Sequence, residues 1–221
     1  MCAFLAQRAA RLAAEQGDNP GSAATMTRLR AEATEHLVRI NTLRRLAAQA
    51  KLPAALDWIG EFTASGEKLV VFAHHRDLVH ALAERFGGLR IAGEAPPPAR
   101  QAAVDRFQTD PQAQVVVCSI QAAGIGLTLT AASDVLFVEY AWTPAALEQA
   151  EDRCHRIGQH TPVTAWYTLA ADTIDQDLLE LVERKRAVVT TATDGDQPAG
   201  SVSVAGDLLE RLTRRGLDAN C

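Results

Sequence analysis

The string QAEDRCHRIGQ, residues 149–159, sets Arg153 and Arg156 three positions apart, with Gln149 four positions before the first. A guanidinium is planar and carries five fixed donors, so it grips phosphate oxygens in pairs. Two on one face could hold a triphosphate. The surrounding segment, AWTPAALEQAEDRCHRIGQ, has helix punctuation. Thr143 suits the N-cap, Pro144 the first helical position and Gly158 the stop. Leu147, Ala150, Cys154 and Ile157 fall at i, i+3, i+7 and i+10 and predict a buried face. Gln149, Arg153 and Arg156 fall at i, i+4 and i+7 and form a second, polar face. The same spacing fits a solvated stripe in which Glu148, Glu151 and Asp152 pair with the arginines. Spacing alone leaves both readings open.

A second stretch, SIQAAGIGLTLTAA (119–132), follows an apolar run. Gly124 and Gly126 permit close backbone approach and positive φ. Ser119, Gln121, Thr128 and Thr130 offer small polar groups for phosphate or ribose, although a tight strand-to-helix connection explains the composition equally. A dinucleotide fingerprint is excluded, because Leu129 stands where a third small residue is required. No GxxxxGK[ST] string occurs, so the chain has neither a P-loop nor its lysine. His74 and His75 close the run KLVVFA without a cysteine or carboxylate cluster beside them, so no metal site is expected. The basic clusters Arg39, Arg44, Arg45, Lys51 and Arg184–Arg186 read either as solvated faces or as phosphate-tracking groups. Trp58, Trp142 and Trp166 read as packing residues.

The elements that must position these residues alternate. Apolar, β-branched runs predict buried strands at 68–73, 113–120, 134–140 and 163–170, with a further one within 89–92. Helical spacing is present at 77–86, 99–107, 144–157 and, behind the capping-box pattern Thr173–Gln176, to about Val189. Alternation of this kind predicts an α/β fold built on a parallel sheet, with its chemistry at the carboxyl ends of the strands. Helices are also expected over 1–16, 27–50 and 53–63, with a break at 17–22. The chain thus divides into an N-terminal helical segment (1–26), a helical linker (27–65), an α/β domain (66–190) and a polar, flexible tail closed by a short helix (191–221).

Composition narrows the function classes. Of 221 residues 48% are hydrophobic, enough for a packed core, and the net charge is -5. An acidic chain is a poor general polyanion binder, so any nucleic-acid contact must be a local patch. Cys2, Cys118, Cys154 and Cys221 form no CxxC pair, which points to a reducing compartment. No run reaches the ~20 apolar residues of a membrane span and no signal peptide is evident, so the reading is cytoplasmic, nucleoid-associated if bacterial.

Taken together, EKLVVFAHH, IAGEAPPPARQAAVDRF, SIQAAGIGLTLTAA and AWTPAALEQAEDRCHRIGQ resemble the second, C-terminal helicase lobe of the Swi/Snf-related superfamily 2 DNA translocases, with FAHH and QAEDRCHRIGQ most similar to the annealing-helicase branch. The resemblance covers about Arg39 to Val189 and implies a RecA-like lobe. In such motors two lobes enclose ATP, and the first carries the P-loop and the magnesium ligands. The resemblance then implies arginine fingers at Arg153 and Arg156, with Arg156 the first choice. It implies ATP contacts from Gln149 and Gly126, and DNA-backbone contacts from Ser119, Gln121, Gly124 and Thr128 with His74 nearby. It implies DNA, read without sequence preference, and a P-loop lobe as partners. This chain would hold half an ATPase site, dependent on ATP with Mg2+ and inactive alone. The alternative is a non-catalytic DNA- or protein-binding module derived from such a lobe. Two positions depart from the family pattern: Thr143 replaces a frequent Asn, an equivalent N-cap, and Ala92 replaces a frequent Asp before Gly93.

Overall fold

Five parallel strands lie in the order β2-β3-β1-β4-β5: β1 (Leu69–Ala73), β2 (Arg90–Ile91), β3 (Val115–Ser119), β4 (Asp134–Phe137) and β5 (Thr164–Tyr167). The computed structural model describes residues 20–124, 126–156, 159, 161–193, 207–208 and 211–212. All five residues of β1 are buried between β3 and β4, with Leu69 registered against both Val115 and Asp134. A parallel sheet is covered on both faces, which is why its strands read as unbroken apolar runs. At the edge, β5 alternates between exposed and half-buried residues.

The covering helices are α1 (Pro20–Thr63), α2 (Arg76–Arg85), α3 (Pro97–Thr109), α4 (Pro144–Glu151) and α5 (Ile174–Thr193), with a 3-10 turn at Ile120–Gly124. Leu78, Val79, Leu82 and Ala83 form the buried stripe of α2. Phe72 stacks on Phe137, and Phe137 on Tyr167, carrying the core across three neighbouring strands.

Two compact units divide the chain, Met1–Leu43 and Arg44–Cys221. The described part of the first is the opening of α1, where Arg39 and Glu35 pair at 2.6 Å one turn apart. The second contains the whole sheet. In it α1 contributes Ala48, Ala55 and Ile59 to the core, with Leu52, Leu56, Trp58 and Phe62 packed against them. The expected break between 50 and 53 does not occur, and Pro53 lies inside one continuous helix. A proline costs a helix one hydrogen bond and some steric room, but the apolar stripe runs unbroken past it, and its burial holds the helix together. The helix also starts at Pro20 rather than Thr27, with proline at a favoured first position. The expected helix over 1–16 lies outside the described residues, as does most of the 191–221 tail. Where that tail is described it is helical, with Leu208 buried and Arg211 bonded to Glu180 at 2.6 Å.

The capping box opening α5 is displaced by one residue. Thr173 Oγ1 accepts from the Asp175 amide, while Gln176 Oε1 accepts from Asp172, not from Thr173. Asp175 also accepts the Ala170 amide and meets Lys51 Nζ at 2.6 Å, both side chains being 6% exposed. Lys51 donates in addition to the Thr168 carbonyl at 3.0 Å.

Removing one partner of a buried pair strands the other charge, which costs about 3–5 kcal/mol. Asp175→Ala is therefore expected to lower unfolding stability by about 3 kcal/mol in urea titrations. The double change Lys51→Met with Asp175→Leu is expected to recover most of that loss. A double variant no more stable than Asp175→Ala would count against the pair.

Candidate functional site

The segment of the two arginines is not one helix. The α form ends at Glu151, and the chain continues as tight turns through Arg156. Thr143 caps the helix as expected, accepting the Ala146 amide at 3.3 Å. At the other end, the Arg153 amide bonds to Ala150 O and the Arg153 carbonyl accepts the Leu129 amide at 2.8 Å. That long-range bond draws the chain off the helical path toward the loop after the 3-10 turn. Gly158, the expected stop, lies outside the described residues.

As a result Gln149, Arg153 and Arg156 do not form one continuous helical face. Gln149 is exposed on α4, Arg153 is 9% exposed and Arg156 is exposed. Arg156 Nη1 donates to Gly126 O at 3.3 Å and to Thr128 Oγ1 at 3.1 Å. Arg153 Nε is buried without a hydrogen-bond partner among the described residues. Burial lowers the Arg153 pKa, and the charge of Arg156 lowers it further, so the two guanidinia sit close enough to repel. Gly126 has φ +60, a left-handed conformation that side chains rarely adopt. Gln108 and Gln159 hold the rest of this loop. Gln108 Oε1 accepts the Ala131 amide and its Nε2 donates to Thr128 O, while Gln159 donates to the carbonyls of Thr130 and Ala132.

Between the arginines Cys154 is fully buried, and burial pushes its thiol up to about 12. Cys118 is likewise buried and free. Both are therefore inert packing residues.

A second group gathers at the carboxyl ends of β1 and β3. His74, Ser119 and Gln121 line a pocket of about 260 Å³ with Arg76, His80 and Glu94. Arg76, which sequence reasoning passed over, ion-pairs with Glu94 at the pocket. The turn at Ala92 forms without the aspartate frequent in the family, through the Ala95 amide bonded to Ala92 O at 3.1 Å. Of the residues expected together, His74, Ser119 and Gln121 share this pocket. Gly124 ends the adjoining 3-10 turn. Thr128 stands apart from them, with Arg156 and Gly126.

Behind the pocket lies a buried ionic cluster. Strand β4 ends at Phe137, not at Tyr140, because a side chain takes over from the backbone ladder. The Val138 amide still bonds to Phe72 O, but the next two amides of the β1 side, His74 and His75, donate to Glu139 Oε2 at 2.7 and 2.8 Å. His75 Nδ1 meets Glu139 Oε1 at 2.5 Å. Burial would raise the Glu139 pKa, but these bonds from His75 and His74 outweigh it and hold the carboxyl below its usual range. Arg44, 3% exposed, donates to Tyr140 O at 2.6 Å and lies 4.6 Å from the Trp142 ring centroid. A pattern did mark these residues. Arg44 and Lys51 occupy positions on the same helical stripe as Ala48, Ala55 and Ile59, where a charge must find a buried partner.

The family of the helicase conserved C-terminal domain matches residues 50–158. Those residues are a helicase C-terminal domain. Over 162 residues, 71% of the chain, it is 39% identical to mouse (Mus musculus) "DNA annealing helicase and endonuclease ZRANB3". Over 162 residues it is 37% identical to the Caenorhabditis elegans homologue of "SWI/SNF-related matrix-associated actin-dependent regulator of chromatin subfamily A-like protein 1". The Swi/Snf-related resemblance is thereby borne out. The helicase C-terminal domain spans part of a larger frame in both: the chain covers 15% and 22% of their lengths. In fold it is similar to the C-terminal part of the Fun30 ATPase domain, with a TM-score of 0.58 at 22% identity over 72% of this chain and 53% of that one. The domain is RecA-like, as expected. Among the described residues no helix is long and apolar enough to cross a membrane.

His74 carries a pH signature. Burial, then the charge of Arg44, lowers its pKa from 6.5 to about 4. Between those values the unfolded chain binds the extra proton, so stability is lost as pH falls from 6.5 toward 4. His74→Gln is expected to flatten that slope in urea midpoints measured between pH 7 and pH 4.5. An unchanged slope would remove His74 as its source.

Proposed function

We propose that this chain is the ATP- and DNA-facing C-terminal lobe of an ATP-dependent double-stranded DNA translocase or annealing helicase, completed by a lobe that carries the P-loop. The observation that carries this reading is the pair Arg153 and Arg156. Two cations whose charges act on each other, one with a buried Nε that has no partner among the described residues, beside a loop with left-handed Gly126 at the carboxyl edge of a parallel sheet, fit an anion with several oxygens. The triphosphate of ATP is such an anion, and its hydrolysis supplies the energy of translocation.

The residues divide the work. Arg156 exchanges its Gly126 and Thr128 bonds for phosphate oxygens and stabilises the charge that develops during transfer. Arg153, anchored through its backbone to Leu129, holds the segment in place and adds a second donor. Gly126 lets the backbone approach, and Gln149 at the exposed end of α4 orients the group. Magnesium ligands belong to the lobe that carries the P-loop. His74, Ser119, Gln121 and Arg76 face the DNA backbone, with Gly124 at the turn beside them. Thr128 is better placed to support Arg156 than to touch DNA.

An arginine finger contributes roughly 10³–10⁵ in rate. In an enzyme reconstituted with a P-loop lobe, Arg156→Ala is expected to lower DNA-dependent ATP turnover by at least about 10³-fold, with DNA affinity changed less than about threefold. Undiminished turnover would take the finger role from Arg156. Binding of the chain to duplex DNA is expected to be weak and indifferent to base sequence, with log K falling about 0.9 per log unit of salt for each phosphate contact. A flat salt response, or preference for one sequence, would contradict the backbone-contact reading.

A further inference from the structure

The pocket at His74 and the arginine segment are separate places, yet one short path joins them. Glu139 takes three hydrogen bonds from His74 and His75, which form the turn between β1 and α2. The same residue lies in the connection from β4 to α4. Tyr140 follows it directly, with its carbonyl held by Arg44, then Trp142 beneath the Arg44 guanidinium, then the cap Thr143. Helix α4 delivers Arg153. A displacement of His74 therefore reaches α4 through one carboxylate and four residues of chain.

The cluster is also incompletely satisfied. Arg44 Nη1 and His75 Nε2 are both buried without a hydrogen-bond partner among the described residues, in side chains whose residues are 3% and 9% exposed. A buried polar atom left without a partner is costly. A modest shift of Glu139 toward Arg44 would satisfy one donor while loosening another. Two arrangements of similar energy are what a transmitting element requires.

We propose that Glu139, held by His74 and His75 and followed directly by the Tyr140 carbonyl that Arg44 holds, is a positioning residue that couples occupancy of the His74 pocket to the arginine segment after α4. The inference rests on the pocket being the DNA-facing site. Because such coupling is a difference in free energy between two sites, it acts in both directions.

Hydrogen–deuterium exchange of the purified chain, with and without saturating blunt duplex DNA, tests it. The duplex is expected to slow exchange over 74–94 and also to change it by about fivefold over 140–156, at the low end of ordinary coupling strengths. Glu139→Gln keeps the shape: its oxygen can still accept both amides, and its NH2 can donate to His75 Nδ1 in the other tautomer. It removes the charge that Arg44 faces. The variant is expected to keep the change over 74–94 and lose that over 140–156. Should Glu139→Gln fold poorly, a second pair carries the test. His75→Asn retains a donor close to Nδ1 and transmits, whereas His75→Ala does not. A response over 140–156 that persists in Glu139→Gln and His75→Ala overturns the coupling. A wild-type response confined to 74–94 overturns the coupling and leaves the DNA-facing reading intact. No response in either region overturns both.

Discussion

Everything at the working edge of this domain depends on strands that run one way. When β1, β3 and β4 are parallel and in register, their carboxyl ends finish at one level, and each connection must leave from the same side. His74 follows β1, Ser119 ends β3, and Glu139 follows β4 within a few residues of one another in space because of that constraint alone. The apolar runs that make the sheet stable are thus also what assembles polar residues separated by as many as 65 positions.

Within that frame the least expected feature is where α4 stops. Local signals favour a helix through Arg156, yet one backbone bond from Leu129 to the Arg153 carbonyl competes successfully with it. The result separates the roles of two similar side chains. Arg153 becomes largely buried and Arg156 stays exposed, reaching the loop at Gly126. A continuous helix would have displayed both on a solvated stripe, the alternative that spacing left open.

The architecture was largely readable from the residues. Buried strands of a parallel sheet announce themselves by β-branched continuity, and β1 and β3 lie inside the runs that predict them. Helix ends were less readable, because they are decided by partners elsewhere. Pro53 is overridden by burial on either side of it, and the cap of α5 slips by one residue. The Swi/Snf-related motifs located the arginines and the His74 pocket. They did not reveal Arg76, Gln108 or Glu139, whose partners lie at a distance in sequence or whose chemistry belongs to the fold. Arg44 was grouped with Arg39 and Arg45 as one basic cluster. Only its place on the apolar stripe distinguishes it, and its partner is 96 residues away.

The ion pair between Arg76 and Glu94 has a bearing on motion. On the proposed reading of the His74 pocket as a DNA-facing site, its lining residue Arg76 is already neutralised by a carboxylate of its own chain. A phosphate arriving there exchanges one anion for another, so little is gained by its arrival and little is lost by its departure. Grip of this kind is shallow, with a low barrier between successive holds. That would suit the proposed translocase, which must release each phosphate to reach the next and for which a deep well at any single position would be a place to stall.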